Sequence, residues 1–227
     1  SWNWPDQARQ WLPLIDHPSD KATSEFIVTA PVAYGVVANG LGEEETFLGD
    51  GSKRTRWKQS VPIASWLNAL GVAPFAEHYA GAVKGVERQT WVPRQDLEKG
   101  IPAFEGPTRK ALEFFSERVG PYPYEKLANV SAAFGGGGTE HASAIFYTEN
   151  LLDGNAEEVV VHEIAHQWFG CSVTLRDWDD IWLSEGFATY FTLLYQEHVE
   201  GRDAFVRGLE RARTSALVVG DMPFMSY

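Results

Sequence analysis

The chain predicts an α+β fold, with an antiparallel β-sheet portion over residues 1–92 followed by an α/β portion over residues 93–227. Short β-rich runs broken by turn signals fill residues 24–91, and a segment at 92–107 carries Pro93, Pro102 and Pro107 between charged residues. Beyond it, helix-period patterns alternate with strand-like runs, which places a domain boundary in the proline-bearing segment.

The first portion reads as strands at 25–29, at 34–38 closed by Asn39-Gly40, at 46–48 before Gly49-Asp50-Gly51, at 54–59 and at 64–70. Residues 108–119 fit an amphipathic helix with Leu112, Phe115 and Val119 on one side, and Gly120-Pro121-Tyr122-Pro123 forbids its continuation. Residues 127–134 have strand composition, residues 135–138 form a flexible glycine loop, and residues 142–147 make another strand. A helix follows, opened by Asn155 with Glu158 three residues on as a capping box and stopped at Gly170. The next helix spans 180–200, with Trp182, Phe187, Tyr190, Phe191 and Leu194 as its apolar spacing and Gly201 as its end. A final helical segment covers 203–219.

The 44% apolar fraction is enough for a substantial core, and the nine Trp, eight Tyr and thirteen Phe are read mostly as part of it. Acidic residues outnumber basic ones by 31 to 19, with no basic stripe, so nucleic acid is not an expected partner. No run of residues is long and apolar enough for a membrane span, and the first residues lack the pattern of a signal peptide; nothing here fixes a compartment. The lone Cys171 excludes an internal disulfide and is read as a small buried side chain.

The chemistry concentrates in His162-Glu163-Ile164-Ala165-His166, with Glu185 after eighteen intervening residues. At about 100° per residue, positions four apart return to within roughly 40° of each other, so His162 and His166 project from one face of a helix. One Zn²⁺ per chain bridges them in this reading. Glu163 points about 60° round the axis from His166, beside the metal, where a general base must stand. Glu185 is the candidate third ligand, because a carboxylate in so aromatic a segment is costly to bury unless paired or metal-bound. Two His and one Glu leave the fourth tetrahedral position open, the arrangement of a catalytic site.

Gly135 to Gly138 are not a phosphate loop, since no Gly-Lys-Ser/Thr follows. Either they form a tight connection, or their bare backbone lets an extended peptide approach and pair with the neighbouring strand. Glu140 comes next but one, and a carboxylate at the end of a peptide groove can capture a free α-amino group. His17, His78, His141 and His198 carry no ligand spacing and are read as surface or satisfied histidines.

Residues 9–23, RQWLPLIDHPSDKAT, together with HEIAHQWFG and WLSEGFATY, resemble the membrane alanyl aminopeptidase (aminopeptidase N) family of zinc peptidases. Leukotriene-A hydrolase and puromycin-sensitive aminopeptidase belong to that family too. The likeness runs along nearly the whole chain. It implies a thermolysin-like (zincin) α/β catalytic portion, with Zn²⁺ on His162, His166 and Glu185 and with Glu163 as base. The family's Gly-x-Met-Glu-Asn loop corresponds to Gly137-Gly138-Thr139-Glu140-His141, so Gly137, Gly138 and Glu140 are implied to bind a peptide with a free N-terminus. Thr139 and His141 depart from its Met and Asn, and Cys171 stands where the family has Asn. The tyrosine that stabilises the oxyanion in the family is matched best by Tyr227, without the Lys-Gly that follows it there; Tyr195 is a phenol placed too early. The resemblance further implies a start partway through the first β domain and a C-terminal helical domain beyond this segment.

The expected activity is therefore zinc-dependent release of single residues from peptide N-termini. Two alternatives stand beside it: a zinc endopeptidase in which Glu140 is structural, and a catalytically silent interaction module on a peptidase scaffold. Glu163 argues against the second, because a binding module has no use for a general base.

Overall fold

The computed structural model describes residues 7–134 and 136–219. Ten strands and four α-helices are formed among these residues. Strands β1 (Lys21–Pro31), β3 (Leu41–Phe47) and β4 (Ser52–Ala64) make an antiparallel sheet in the order β1-β4-β3, and β2 (Gly35–Ala38) pairs antiparallel with β5 (Leu70–Ala73). The run at 64–70, expected to be one strand, instead contains the 3-10 turn Ser65–Leu67, whose Trp66 and Leu67 are fully buried.

The third sheet carries the chemistry. Its order is β6-β7-β8-β10-β9, built from β6 (Phe75–Val83), β7 (Val86–Pro93), β8 (Lys126–Ala132), β9 (Gly138–Thr139) and β10 (Ala144–Thr148). Strands β7, β8 and β10 run parallel, while β6 and β9 close the two edges antiparallel. The expected boundary at 92/93 thus falls at the end of a strand that is hydrogen-bonded on both sides. Both faces of this sheet are covered, so β8 and β10 read as nearly continuous buried runs. Alternation sorts their side chains: Leu127, Ile145 and Tyr147 join the helical core, whereas Ala128, Val130, Ala144 and Phe146 join Val36, Val37, Trp57 and Trp91 of the β layers.

Helix α1 (Leu97–Arg118) corrects the expectation that helical structure begins only after Pro107, because it runs through both Pro102 and Pro107. An interior proline costs about 3 kcal/mol of helix propensity. The compensation is a stripe of buried residues at helical spacing, Gly100, Phe104, Thr108, Ala111, Leu112 and Phe115. Phe104, Leu112 and Phe115 are fully buried, and burial of each such side chain is worth about 1.5–3 kcal/mol. Gly100 lets the helix touch the sheet, since a Cβ there would lie 2.6 Å from Val92 Cγ1.

Helices α2 (Glu157–His166), α3 (Ile181–Glu200) and α4 (Arg202–Val219) follow. The reciprocal capping box does not form at α2: Ala156 is the N-cap, and Asn155 Oδ1 accepts from the Glu157 N–H at 3.2 Å. Gly201 ends α3 as expected, with φ +92°. The buried face of α3 is Ile181, Ser184, Ala188, Thr192, Leu193 and Tyr195; of the expected apolar set, Phe191 and Leu194 pack against the core. Trp182 remains 60% exposed and Phe187 and Tyr190 are also exposed, because the side meeting α2 needs small residues for close approach.

Candidate active site

Helix α2 places His162 and His166 one turn apart, with their Nε2 atoms 3.1 Å from each other. Glu185, in the second turn of α3, brings Oε2 to 3.6 Å from His162 Nε2 and 3.7 Å from His166 Nε2. Ligand atoms on a tetrahedral zinc with bonds of about 2.1 Å stand about 3.4 Å apart, so these three atoms fit one zinc ion. The side chain of Glu185 is 44% exposed. Its place is therefore set by the two imidazoles and not, as the sequence suggested, by burial among aromatics.

The ring of His166 is fixed from behind. Its Nδ1 lies 3.1 Å from the carbonyl of Phe169 and 3.1 Å from Ser184 Oγ. A carbonyl can only accept, so Nδ1 carries a proton and Nε2 is the nitrogen turned to the metal position, where a bound cation would displace the second proton of the imidazolium. Gly170 makes this possible: it adopts φ +108°, and a Cβ there would sit 2.1 Å from Ser184 Oγ. Helix α2 ends at His166, short of the stop expected at Gly170, and the left-handed turn at this glycine leaves room for α3.

Glu163 is buried, and a second cluster of Glu140, Glu163 and His166 has its ligand atoms within 4.8 Å of one another. Edge strand β9 lies directly over the Glu163 carboxyl, since a Cβ on Gly138 would come 2.5 Å from Glu163 Cγ. The glycine run is thus partly a strand, not only a flexible loop. Its last residue pairs with Tyr147, and Thr139 pairs with Phe146. Gly137 sits beside Val159 of α2.

The electrostatics call for a cation. Burial, and then the neighbouring Glu140, push the Glu163 carboxyl well above the usual carboxylate range. Burial likewise raises Glu140, whose Oε1 is buried without a hydrogen-bond partner among the described residues. For His166 burial works downward, but Glu140, Glu185 and Glu163 outweigh it and hold the imidazolium up to about 10. Burial would raise Glu185 too, yet hydrogen bonds with His162 and His166 hold it well below its ordinary value. Three carboxylates around two imidazoles form a site that a dication neutralises. The unpartnered oxygen of Glu140 and the spacing of the triad both fit zinc bound there.

Other expected residues fall elsewhere. Tyr227 lies outside the described residues. Tyr195 donates to Glu157 Oε1 at 2.6 Å, at the opposite end of α2 from His166. His141 is neither on the surface nor satisfied: it is 1% exposed, both ring nitrogens lack partners among the described residues, and burial pulls it down to about 3. Cys171 is buried and its S–H donates to the Glu140 carbonyl at 3.0 Å, while burial pushes the thiol up. Sequence reasoning missed Ser184 and Gln167. Ser184 stands immediately before Glu185, and Gln167 immediately after His166, but neither residue type signals a role by itself.

Comparison with known proteins agrees with this geometry. The Peptidase family M1 domain matches residues 105–220, and the Peptidase M1 N-terminal domain matches residues 4–67. The chain is 32% identical to glutamyl aminopeptidase of Homo sapiens over 213 residues, covering 86% of this chain and 22% of that protein. It is 31% identical to probable aminopeptidase 1 of Saccharolobus solfataricus over 204 residues, 85% of this chain and 26% of that protein. Among solved structures it resembles an M1 zinc metallopeptidase from Deinococcus radiodurans, with a TM-score of 0.81 at 33% identity over 98% of this chain and 50% of that one. A two-domain M1 zinc metallopeptidase bound to L-arginine gives a TM-score of 0.84 at 35% identity, covering 95% of this chain and 50% of that one. The chain thus spans about a quarter of those curated relatives and half of those solved chains.

Proposed function

The chain belongs to peptidase family M1, and from that membership we propose that it carries the zinc site of an aminopeptidase, which hydrolyses the first peptide bond of peptides with a free N-terminus. The observation that carries this reading is the pairing of two groups. The base Glu163 and the carboxyl of Glu140, whose Oε1 has no partner among the described residues, lie in one cluster with His166, beneath an edge strand on which an extended peptide can pair.

His162, His166 and Glu185 would hold the metal. Zinc, when bound, supplies a Lewis acid and brings the pKa of water to about 7. Glu163 takes the proton from the attacking water and returns it to the amine that leaves as the C–N bond breaks. The buried carboxylate of Glu140 receives the substrate ammonium, which answers its missing partner with a charge-assisted contact. Because the ammonium must sit at Glu140 while the carbonyl sits beside Glu163, only the first peptide bond is in reach. The edge of β9 aligns the backbone, and the lack of a side chain at Gly138 keeps the approach open. Tyr227 is proposed as the donor to the oxyanion, a contact whose loss costs on the order of a hundredfold in rate. No described helix is long and apolar enough to cross a membrane.

The test is hydrolysis of one short peptide offered with a free and with an acetylated N-terminus, by the zinc-loaded protein and its Glu163→Gln variant. Cleavage of the free form alone, abolished in the variant, is the expected result. Cleavage of both forms would replace the reading with an endopeptidase, and zinc binding without cleavage of either would leave a silent module.

A further inference from the structure

Gln167 follows His166 at the end of α2, and its side chain is completely buried. Its Nε2 donates to the carbonyls of Glu140 at 3.2 Å and His141 at 3.4 Å, with Cys171 Sγ at 3.8 Å. Its Oε1 accepts from the Ser143 N–H at 2.9 Å and from the Tyr122 hydroxyl at 3.2 Å. One amide therefore spans the backbone from residue 140 to residue 143. These contacts are local to nothing in sequence: they join the metal helix to a segment 24 to 27 positions earlier.

Of the Glu140 carboxyl, Oε1 has no hydrogen-bond partner among the described residues. Its position depends on the backbone that carries it. That backbone is not in a relaxed state either, because Ser143 adopts φ +61°, a conformation seldom taken by a residue other than glycine. The far side of Ser143 is held by the β layers: its Oγ accepts from the Gly40 N–H at 2.7 Å and donates to Gln59 Oε1 at 3.2 Å, and its carbonyl accepts from Lys126 Nζ at 3.1 Å. Gln167 supplies the matching hold from the side of the metal.

We infer that Gln167 is a positioning residue: it sets the distance between Glu140 and the metal-binding end of α2, and so fixes how far the substrate amine stands from the scissile carbonyl. This rests on Glu140 receiving the amine. Gln167 touches neither substrate nor metal; it acts through the 140–143 backbone. Its loss should therefore weaken the advantage conferred by a free amine more than it weakens hydrolysis as such.

The experiment compares kcat/KM for one peptide with a free amine and for its des-amino analogue, in the zinc-loaded protein and in Gln167→Met, Gln167→Glu and Tyr122→Phe variants. The ratio of the two constants is the readout. In Gln167→Met, which keeps the volume and removes every hydrogen bond, the ratio should fall about tenfold or more, a displacement cost typical of a misplaced anchoring group, with zinc content unchanged and the des-amino rate held within about twofold. Gln167→Glu keeps the acceptor for Ser143 and Tyr122 but replaces the donor to the carbonyls of Glu140 and His141 with an oxygen, so its ratio should fall as in Gln167→Met. Tyr122→Phe removes one of the Gln167 contacts, along with the hydroxyl's bond to the Lys126 carbonyl, and should shift the ratio about threefold in the same direction; it decides the matter if Gln167→Met does not fold. An unchanged ratio, or equal losses on both substrates, overturns the role of Gln167 and leaves the aminopeptidase reading intact. A ratio near one in the unmodified protein overturns both.

Discussion

The two glycines expected to bind substrate should differ sharply when each is replaced by alanine. A Cβ at Gly138 would lie 2.5 Å from Glu163 Cγ and 2.6 Å from its Cδ and Oε1. Ordinary contact begins near 3.4 Å, so either β9 or the Glu163 carboxyl must retreat by about 0.9 Å. A misplacement of about 1 Å in a reacting group costs on the order of a hundredfold in rate, or about 2.7 kcal/mol of transition-state stabilisation. At Gly137 the nearest atom to an added Cβ is Val159 Cγ1 at 3.5 Å, which is acceptable contact, and the backbone there is not left-handed. Gly137→Ala should therefore stay within about threefold of the unmodified protein. The assay is kcat/KM on an aminoacyl p-nitroanilide, with zinc content measured on the same samples so that loss of metal is separated from displacement of the base. Near-normal activity in zinc-loaded Gly138→Ala would refute the placement of β9 over Glu163. An equal loss in Gly137→Ala would show that the sensitivity belongs to the whole loop and not to this contact.

Lys126 is fully buried with its ammonium on the carbonyls of Ala38 and Ser143 and over the Trp57 ring, and burial pulls it from 10.5 down to about 7 despite Glu87, Glu125 and Glu77 nearby. Between about pH 7 and 10.5 the unfolded chain binds more protons at this site, so its contribution makes stability rise with pH, by up to about 1.4 kcal/mol per unit. Urea unfolding at several pH values should show that slope reduced in Lys126→Met; a stability difference independent of pH would contradict the lowering of the Lys126 pKa by burial. Cys171 should resist a thiol reagent in the folded protein and react at once in denaturant, and fast labelling of the native state would mean the site is open from that side. Pro102 is exposed in the interior of α1, so Pro102→Ala restores a hydrogen bond to Glu98 and should raise stability by about 1–3 kcal/mol, measured by urea unfolding; a loss would mean the helix depends on the ring.

The candidate metal ligands were legible because the spacing of His162 and His166 is a property of the helix itself. Residues four apart share a face, and Glu185 lay on a second helix whose end at Gly201 could also be read. Strands β8 and β10 were legible from their composition. What could not be read depended on packing between distant segments. Pro102 and Pro107 speak for a break, and only the fit of Phe104, Leu112 and Phe115 against the sheet overrules them. On α3 the apolar spacing pointed to Trp182, Phe187 and Tyr190, but Ser184 and Ala188 face inward because His166 must be reached from that side. His141 carried no signal of burial, since its environment comes from strands lying up to seventy residues earlier. Gln167 has no periodicity to reveal it; its five partners exist only once residues 122 and 140–143 are folded onto the end of α2.

Strand β7 has a bearing on how such proteins can be rearranged. It is fed from the β layers through β6, yet it hydrogen-bonds in parallel to β8, and β8 in turn supports the strand that leads to β9 and the base. Splitting the gene between these parts would expose an unpaired parallel edge on each product, an invitation to intermolecular strand pairing and aggregation. Exchange of the N-terminal portion for that of a distant relative would have to deliver a strand of the same register, with Trp91 opposite Val130, to leave Glu163 where it is. Recombination at this junction is thereby confined to partners that already share the sheet, so the two portions are inherited together.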